Sequence, residues 1–166
     1  MTRLLHISAA LSLMLCLALA SCSDDSCYDN GSSLPLATLH LDGGKQQTIT
    51  GLTITGIGAP GDSMLADSTS LSEVYLPLRA SATTTSYRIR RWVATGDTGH
   101  ALTDTLTLDY RPIEFFHSLE CGAMFNFDIH QVSHTRHGID SVVVLTPLVT
   151  NSRTPALRIH FTNLTL

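Results

Sequence analysis

The stretch "HQVSHTRH" carries His130, His134 and His137 within eight residues. Neutral imidazole is a common zinc ligand, so three in close sequence raise the question of a metal centre. A closed structural zinc site takes about four ligands. Here no fourth ligand is fixed by spacing, and no H-E-x-x-H occurs. On a regular strand His130 and His134 share one face with Asp128, opposite Phe125, Phe127 and Ile129. That face is expected to meet solvent, with His137 in or after a turn before Ile139. The plainer reading is a set of exposed polar residues on a hairpin. The three histidines therefore stand as weak metal candidates, and no metal or other cofactor is assigned.

A second candidate chemistry is nucleophilic. "GDS", residues 61–63, resembles the nucleophile block of one family of lipases and esterases, and "DTGH", residues 97–100, supplies that family's D-x-x-H spacing. A serine needs a base to take its proton and a carboxylate to orient that base. The resemblance implies an α/β fold with the aspartate–histidine block near the chain end. Here the pattern is all-β and sixty-six residues follow His100. Two ordinary turns explain the same letters, and no catalytic residue is assigned. "GIGAPG", residues 56–61, fits the dinucleotide pattern G-x-G-x-x-G, which works only where a helix starts on the loop. Pro60 and Gly61 favour a turn, and no sound helix follows. Arg88, Arg90 and Arg91 suggest anion binding, but Arg88 and Arg90 alternate with Tyr87 and Ile89, as a solvated strand face does.

The elements that must position these residues read as strands. Period-two alternation marks residues 49–57, 71–78, 86–93, 103–110, 125–130 and 157–162, and residues 141–145 form an apolar run rich in valine. Residues 58–63 and 95–100 read as turn and loop. Residues 62–73 also admit a helical turn. Seven to eight strands with turn signals between them point to an all-β fold, a two-layer antiparallel β-sandwich. No internal repeat and no Pro/Ser linker divides it.

The first residues are set apart from that fold. Arg3 precedes fourteen residues, 7–20, with only two serines as polar breaks. The run is too short to span a bilayer, which takes about 20 apolar residues. It suits the helix of an export signal. "LASC", residues 19–22, follows at once and resembles the lipobox of bacterial lipoproteins. That resemblance implies lipidation of the Cys22 thiol, typically with palmitate-class acyl chains, and cleavage before it. Three segments result: a signal peptide over 1–21, a lipidated N-terminus and short tether over 22–30, and a β-sandwich domain over 31–166. Without Arg3, nine basic side chains face fourteen acidic ones, a net charge of −5. No basic patch of the kind nucleic acid requires is present. The expected partner is the membrane, through the lipid anchor, with envelope proteins beside it. Neither nucleic acid nor a nucleotide cofactor is expected.

Cys16 leaves with the signal, so Cys27 and Cys121 remain besides the anchor. Two thiols in an exported chain usually pair. A disulfide between them closes a separation of 94 residues, worth about 4.6 kcal/mol in the chain-entropy model. Two buried free thiols are the alternative. Only residues 23–26 separate Cys22 from Cys27, and five extended steps reach at most about 17 Å. The domain is thus expected to sit close to the bilayer.

Further blocks carry resemblances. "CSDD" resembles an acidic tag that sends some lipoproteins of Bacteroides-type bacteria to the cell surface. "DSM", "DST", "DTL" and "DSV" resemble the O-glycosylation sequon of envelope proteins from such bacteria, which implies Ser63, Ser68, Thr105 and Ser141 as acceptors. Taken in order, "SCSDDSCYDN", "LPLA", "GIGAPGDS", "VYLPL", "DTLTL", "ECGAMFNF" and "IDSVVV" resemble a family of small uncharacterised lipoproteins from Bacteroides-type bacteria. The resemblance implies export, lipidation at Cys22, a β-rich domain and placement at the outer membrane, facing the periplasm or the cell surface. It implies no activity. The expected function is a non-enzymatic binding or accessory module of the envelope. The alternative is an envelope hydrolase or metal-binding protein, using the Ser63 region or the His130/His134/His137 cluster.

Overall fold

The structure, a computed structural model, describes residues 33–41, 44–59, 63–95, 98–119 and 121–163. The chain divides after residue 30 into two units, and every described residue belongs to the second, Gly31–Leu166. The signal peptide, the tether, Cys22 and Cys27 lie outside the described residues.

Ten strands form the fold: β1 (Leu36–Leu41), β2 (Ile49–Ile57), β3 (Met64–Leu71), β4 (Glu73–Tyr75), β5 (Thr84–Thr95), β6 (Thr98–Ser118), β7 (Gly122–His134), β8 (Ile139–Val144), β9 (Leu148–Val149) and β10 (Pro155–Phe161). There is no helix among the described residues. One sheet has the order β4-β1-β10-β8 and the other β3-β2-β5-β6-β7-β9. Alternation places Leu52 and Ile54, Tyr87 and Ile89, Leu106, Leu108 and Tyr110, and Phe127 and Ile129 on the inner face of the larger sheet. Ala37, Leu39, Leu157, Ile159 and Phe161 meet them from the smaller sheet in one core. Burying each of the larger side chains contributes about 1.5–3 kcal/mol, so the period-two pattern and the sandwich have the same cause.

Several expectations are corrected. The strands number ten, not seven or eight. The helical turn admitted over 62–73 is not formed by the described residues 63–73, because Met64–Leu71 is strand β3, paired antiparallel with β2. The strand read over 71–78 is only Glu73–Tyr75, and residues 76–79 continue without regular structure. The loop read over 95–100 is mostly hairpin, since β5 runs to Thr95 and β6 begins at Thr98. The pairing is antiparallel except between β1 and β10, which run parallel. These are the first and last strands, and no hairpin joins them. A parallel pair needs a long crossover, here supplied by strands β2 to β9.

Two features shape the ends of the sandwich. Residues 76–83 are held to the larger sheet by two tyrosines. The Tyr110 hydroxyl donates to the carbonyl of Arg79 (2.9 Å) and accepts from its N–H (3.0 Å), with Thr85 Oγ1 2.8 Å away. The Tyr87 hydroxyl donates to the carbonyl of Pro77. From Tyr110 onward on β6 and before Phe127 on β7, these two strands pair with each other and with no other strand among the described residues, forming a projecting hairpin. Phe116 and Leu119 near its tip are 67% and 90% exposed.

Candidate functional site

Apolar pockets with a few convergent polar groups are the usual form of a small-molecule site. Such a pocket, of about 390 Å³, opens between the end of β2, the start of β3 and residues 77–79. Ile57, Ala59, Leu65, Pro77 and Leu78 supply its apolar wall, with Tyr87 and Thr85 from β5 at the base. The polar groups are the Ser63 hydroxyl, which is exposed, and the Arg79 guanidinium. Arg79 donates only to neutral acceptors, the carbonyls of Gly58 (3.5 Å) and Thr84 (3.3 Å). Its charge is uncompensated by any carboxylate among the described residues. Burial first, and then the neighbouring Tyr110, push the Tyr87 hydroxyl above its ordinary titration range, with Arg79 opposing. Tyr87 therefore serves as a neutral hydrogen-bond donor and not as a base.

Ser63 is thus in a pocket, but among the described residues no histidine or carboxylate lines it. Gly56 beside the pocket pairs with Tyr87, whereas His100 pairs with Val93, six residues further along β5. That is about 20 Å of strand. Ser63 and His100 consequently lie toward opposite ends of the sheet, so the serine does not meet this histidine; Asp97 lies outside the described residues. The G-x-G-x-x-G reading fails on the same ground as expected: strand β3, not a helix, follows the turn.

The histidines do not converge. A bulge on β7 pairs Tyr110 with Ile129 and Asp109 with Gln131, so His130 and Gln131 both face outward. The extra residue reverses the alternation beyond it, as a β-bulge does. Val132 and His134 consequently oppose Leu108 and Leu106, on the core side. His130 and His134 therefore do not share a face, contrary to the expectation from regular spacing. His134 Nδ1 lies 2.8 Å from the Thr135 carbonyl. His137 instead meets Asp104, with its Nδ1 3.2 Å from Oδ1. Among the described residues no group of three metal-type side chains could hold an ion.

Asp104 was not read as special in the sequence beyond its place in "DTL". It is 3% accessible. Its carboxylate accepts from Thr135 Oγ1 (2.7 Å) and from the backbone N–H groups of His137 (2.8 Å), Gly138 (2.7 Å) and Ile139 (2.9 Å). Burial alone would raise its pKa. The bonds from His137, Thr135, Gly138 and Ile139 outweigh burial and hold it below the ordinary carboxylate range. It locks the β7–β8 turn, so the His137 contact is structural.

The remaining candidates are dispersed. Ser68 is exposed on β3 with a positive φ of 46°, and its N–H donates to Thr53 Oγ1 (3.1 Å). Thr105 on β6 and Ser141 on β8 are half-buried. Arg88 and Arg90 are exposed on the outer face, as alternation implies. Arg91 turns inward, with its guanidinium over the Phe161 ring (5.8 Å) and Nη1 donating to the Thr162 carbonyl (2.9 Å). Cys121, in the turn before β7, is half-buried and engaged rather than free. Arg79 escaped the sequence reading because nothing in "PLRAS" announces a pocket; only the tyrosine contacts place it.

A family model described as a family of unknown function, DUF6452, matches residues 51–161, from within β2 to the end of β10. No curated protein matches the chain, and no solved structure matches it.

Proposed function

We propose that this chain, which belongs to the family of unknown function DUF6452, is a lipid-anchored, non-enzymatic binding module of the cell envelope. The observation that carries the binding assignment is the pocket beside Arg79: apolar walls, a guanidinium with no carboxylate partner among the described residues, and the hydroxyls of Ser63, Thr85 and Tyr87, with no histidine or carboxylate among the described lining residues. Such a lining suits a small ligand with an apolar body and one anionic group. The "LASC" block supports the anchor at Cys22, at the outer membrane.

The position of the first described residues supports the Cys27–Cys121 staple. Ser33 Oγ donates to Asn126 Oδ1 (2.8 Å) at the base of the projecting hairpin. From there Cys121 is five residues along β7, about 17 Å. Six residues link Cys27 to Ser33, a reach of up to about 20 Å. A staple at Cys121 and lipid on Cys22 would turn the hairpin, with Phe116 and Leu119, toward the bilayer. The pocket lies at that same end of β5. Of the four residues in the sequon-like blocks, Ser63 and Ser68 are exposed and Thr105 and Ser141 half-buried.

Two measurements test this reading. Cys22→Ala is expected to block processing and release the protein from membrane fractions after alkaline washing. A processed, membrane-retained variant would refute the anchor. Calorimetric titration with 1-naphthoate and with 1-naphthylmethanol tests the pocket. Preferential binding of the carboxylate, lost in Arg79→Gln, is expected; equal binding of both compounds, or of neither, refutes the assignment.

A further inference from the structure

A second cleft opens on the outer face of the larger sheet, at the end away from the projecting hairpin. Trp92, near the end of β5, is 51% exposed although it is the sole tryptophan of the chain. Its indole lies across the neighbouring strand β6 at Gly99. A methyl group on Gly99 would stand 2.7 Å from Cε2, Cζ2 and Nε1 of the ring. On the other side, in β2, Gly51 has a positive φ of 66°, and a methyl group there would meet the Trp92 Cβ at 3.1 Å. Glycine on both flanks lets the ring rest on bare backbone and leaves its other side open.

Beside the ring is a cleft of about 290 Å³ lined by Gly51, Thr53, Ser68, Arg90 and Trp92. Its lining is polar apart from the indole. Ser68 holds a left-handed backbone, uncommon for a residue other than glycine and often found where a site fixes a side chain. Its hydroxyl donates to Asp67 Oδ1 (3.3 Å) and its N–H to Thr53 Oγ1. Arg90, and Arg88 two residues earlier on the same face, have no carboxylate partner among the described residues. Arg88 and Arg90 thus outnumber Asp67, the carboxylate beside Ser68, on this side of the sheet in a chain of net charge −4.

We propose that the Trp92 cleft binds a saccharide carrying a carboxylate. An indole face is electron-rich and apolar, and it suits the C–H face of a pyranose ring. Thr53 and Ser68 provide hydroxyl donors and acceptors for the ring substituents. The Arg90 guanidinium offers a planar fork that matches a carboxylate. Thr53 stands beside Gly51 on β2, and Arg90 beside Trp92 on β5, so the stacking and anion-binding groups share one concave surface. From Ala101, opposite Trp92, to Asp109, where the hairpin leaves β5, is eight residues of β6, about 27 Å. The cleft therefore opens where a soluble glycan has access whichever way the hairpin end is held.

Trp92 reports on its own site. The full chain, purified in a zwitterionic detergent free of sugar, is titrated with trimers of galacturonate and mannuronate and with a hyaluronan tetramer, following tryptophan emission. Cellotriose is the neutral control. Saturable quenching or a blue shift is expected with at least one acidic oligosaccharide, at least fivefold tighter than with cellotriose. Arg90→Ala should remove that preference. Gly99→Ala should displace the indole and weaken binding at least fivefold, with an unchanged far-ultraviolet spectrum. Because Gly99→Ala can perturb the hairpin, Thr53→Val provides a second variant without steric demand. The proposal is overturned by no saturable response to any acidic oligosaccharide up to about 10 mM. Binding that ignores the carboxylate, or that survives all three substitutions, overturns it equally.

Discussion

Replacing Asp104 by alanine should be among the most destabilising single changes available in the larger sheet. The carboxylate accepts four hydrogen bonds from the β7–β8 turn, two of them from the N–H groups of Gly138 and Ile139. Both of those residues are buried. Thr135 and His137 are exposed and can turn to water when the acceptor is lost. The two buried N–H groups cannot. An unsatisfied buried donor costs about 1–3 kcal/mol, so the expected loss is about 4 kcal/mol, within a total of about 5–15 kcal/mol for an ordinary domain. Urea unfolding followed by far-ultraviolet circular dichroism measures it. With a slope of about 2 kcal/mol per molar, the midpoint should fall by about 2 M. Asp104→Asn, which retains one acceptor oxygen, should lose less. The acid limb supplies an independent check. Asp104 titrates below its ordinary 3.8 in the folded state. Its stabilisation is therefore complete above that value and fades as pH falls through the lower folded pKa. The gap between wild type and Asp104→Ala should be constant near neutrality and close in acid. A loss below about 1 kcal/mol, or a gap that widened on acidification, would refute the account of this turn.

Other outcomes follow from separate contacts. Tyr110→Phe removes the hydroxyl that binds both the N–H and the carbonyl of Arg79 and should cost about 1–3 kcal/mol; weaker 1-naphthoate binding should accompany it, since residue 79 positions the guanidinium. Burial first, then His40 and Arg158, lower the His160 pKa beneath 6.5, with Asp140 opposing. Stability should therefore fall as pH drops below 6.5, until the folded value is reached. The melting temperature of His160→Asn should vary less over that interval than that of wild type. Zinc titration should give no heat above the blank, because His130, His134 and His137 do not converge. Mass spectrometry of unreduced peptides should find Cys27 linked to Cys121; alkylation of either thiol before reductant would remove the staple.

The fold was legible wherever a strand has one wet face and no irregularity. From Leu52 to Ile57 burial alternates residue by residue, and the boundaries 49–57 in the sequence are those of β2, although Gly51 shifts the parity between Ile49 and Leu52. β1 was not legible, because a central strand of the smaller sheet buries Thr38 and His40 as well as Ala37 and Leu39. Burial on both sides erases period two. The outer side of β1 is satisfied locally: His40 Nε2 lies 3.1 Å from Thr38 Oγ1, and its Nδ1 lies 2.9 Å from the Gly44 carbonyl. β3 was obscured by serine and threonine, which suit turns and exposed strands alike. Its irregular register against β2 is a further reason that no clean period appears.

The sites were less legible than the fold, and for a different reason. Function on a sheet depends on which face a residue takes, and one bulge inverts every assignment beyond it. At His130 and Gln131 that inversion separates two histidines which regular spacing would unite. The same logic explains why Arg88 and Arg90 were legible as a solvated strand face. No irregularity interrupts the pairing of β5 with β6 from Thr84 to Thr95, so the outward set Arg88, Arg90, Trp92 follows from parity alone. What parity could not supply was the neighbouring strand: Gly51, Thr53 and Ser68 reach this cleft only through the register of β2 and the left-handed turn of Ser68. A cleft built across β2, β3 and β5 is therefore readable as a site only once those three strands are aligned.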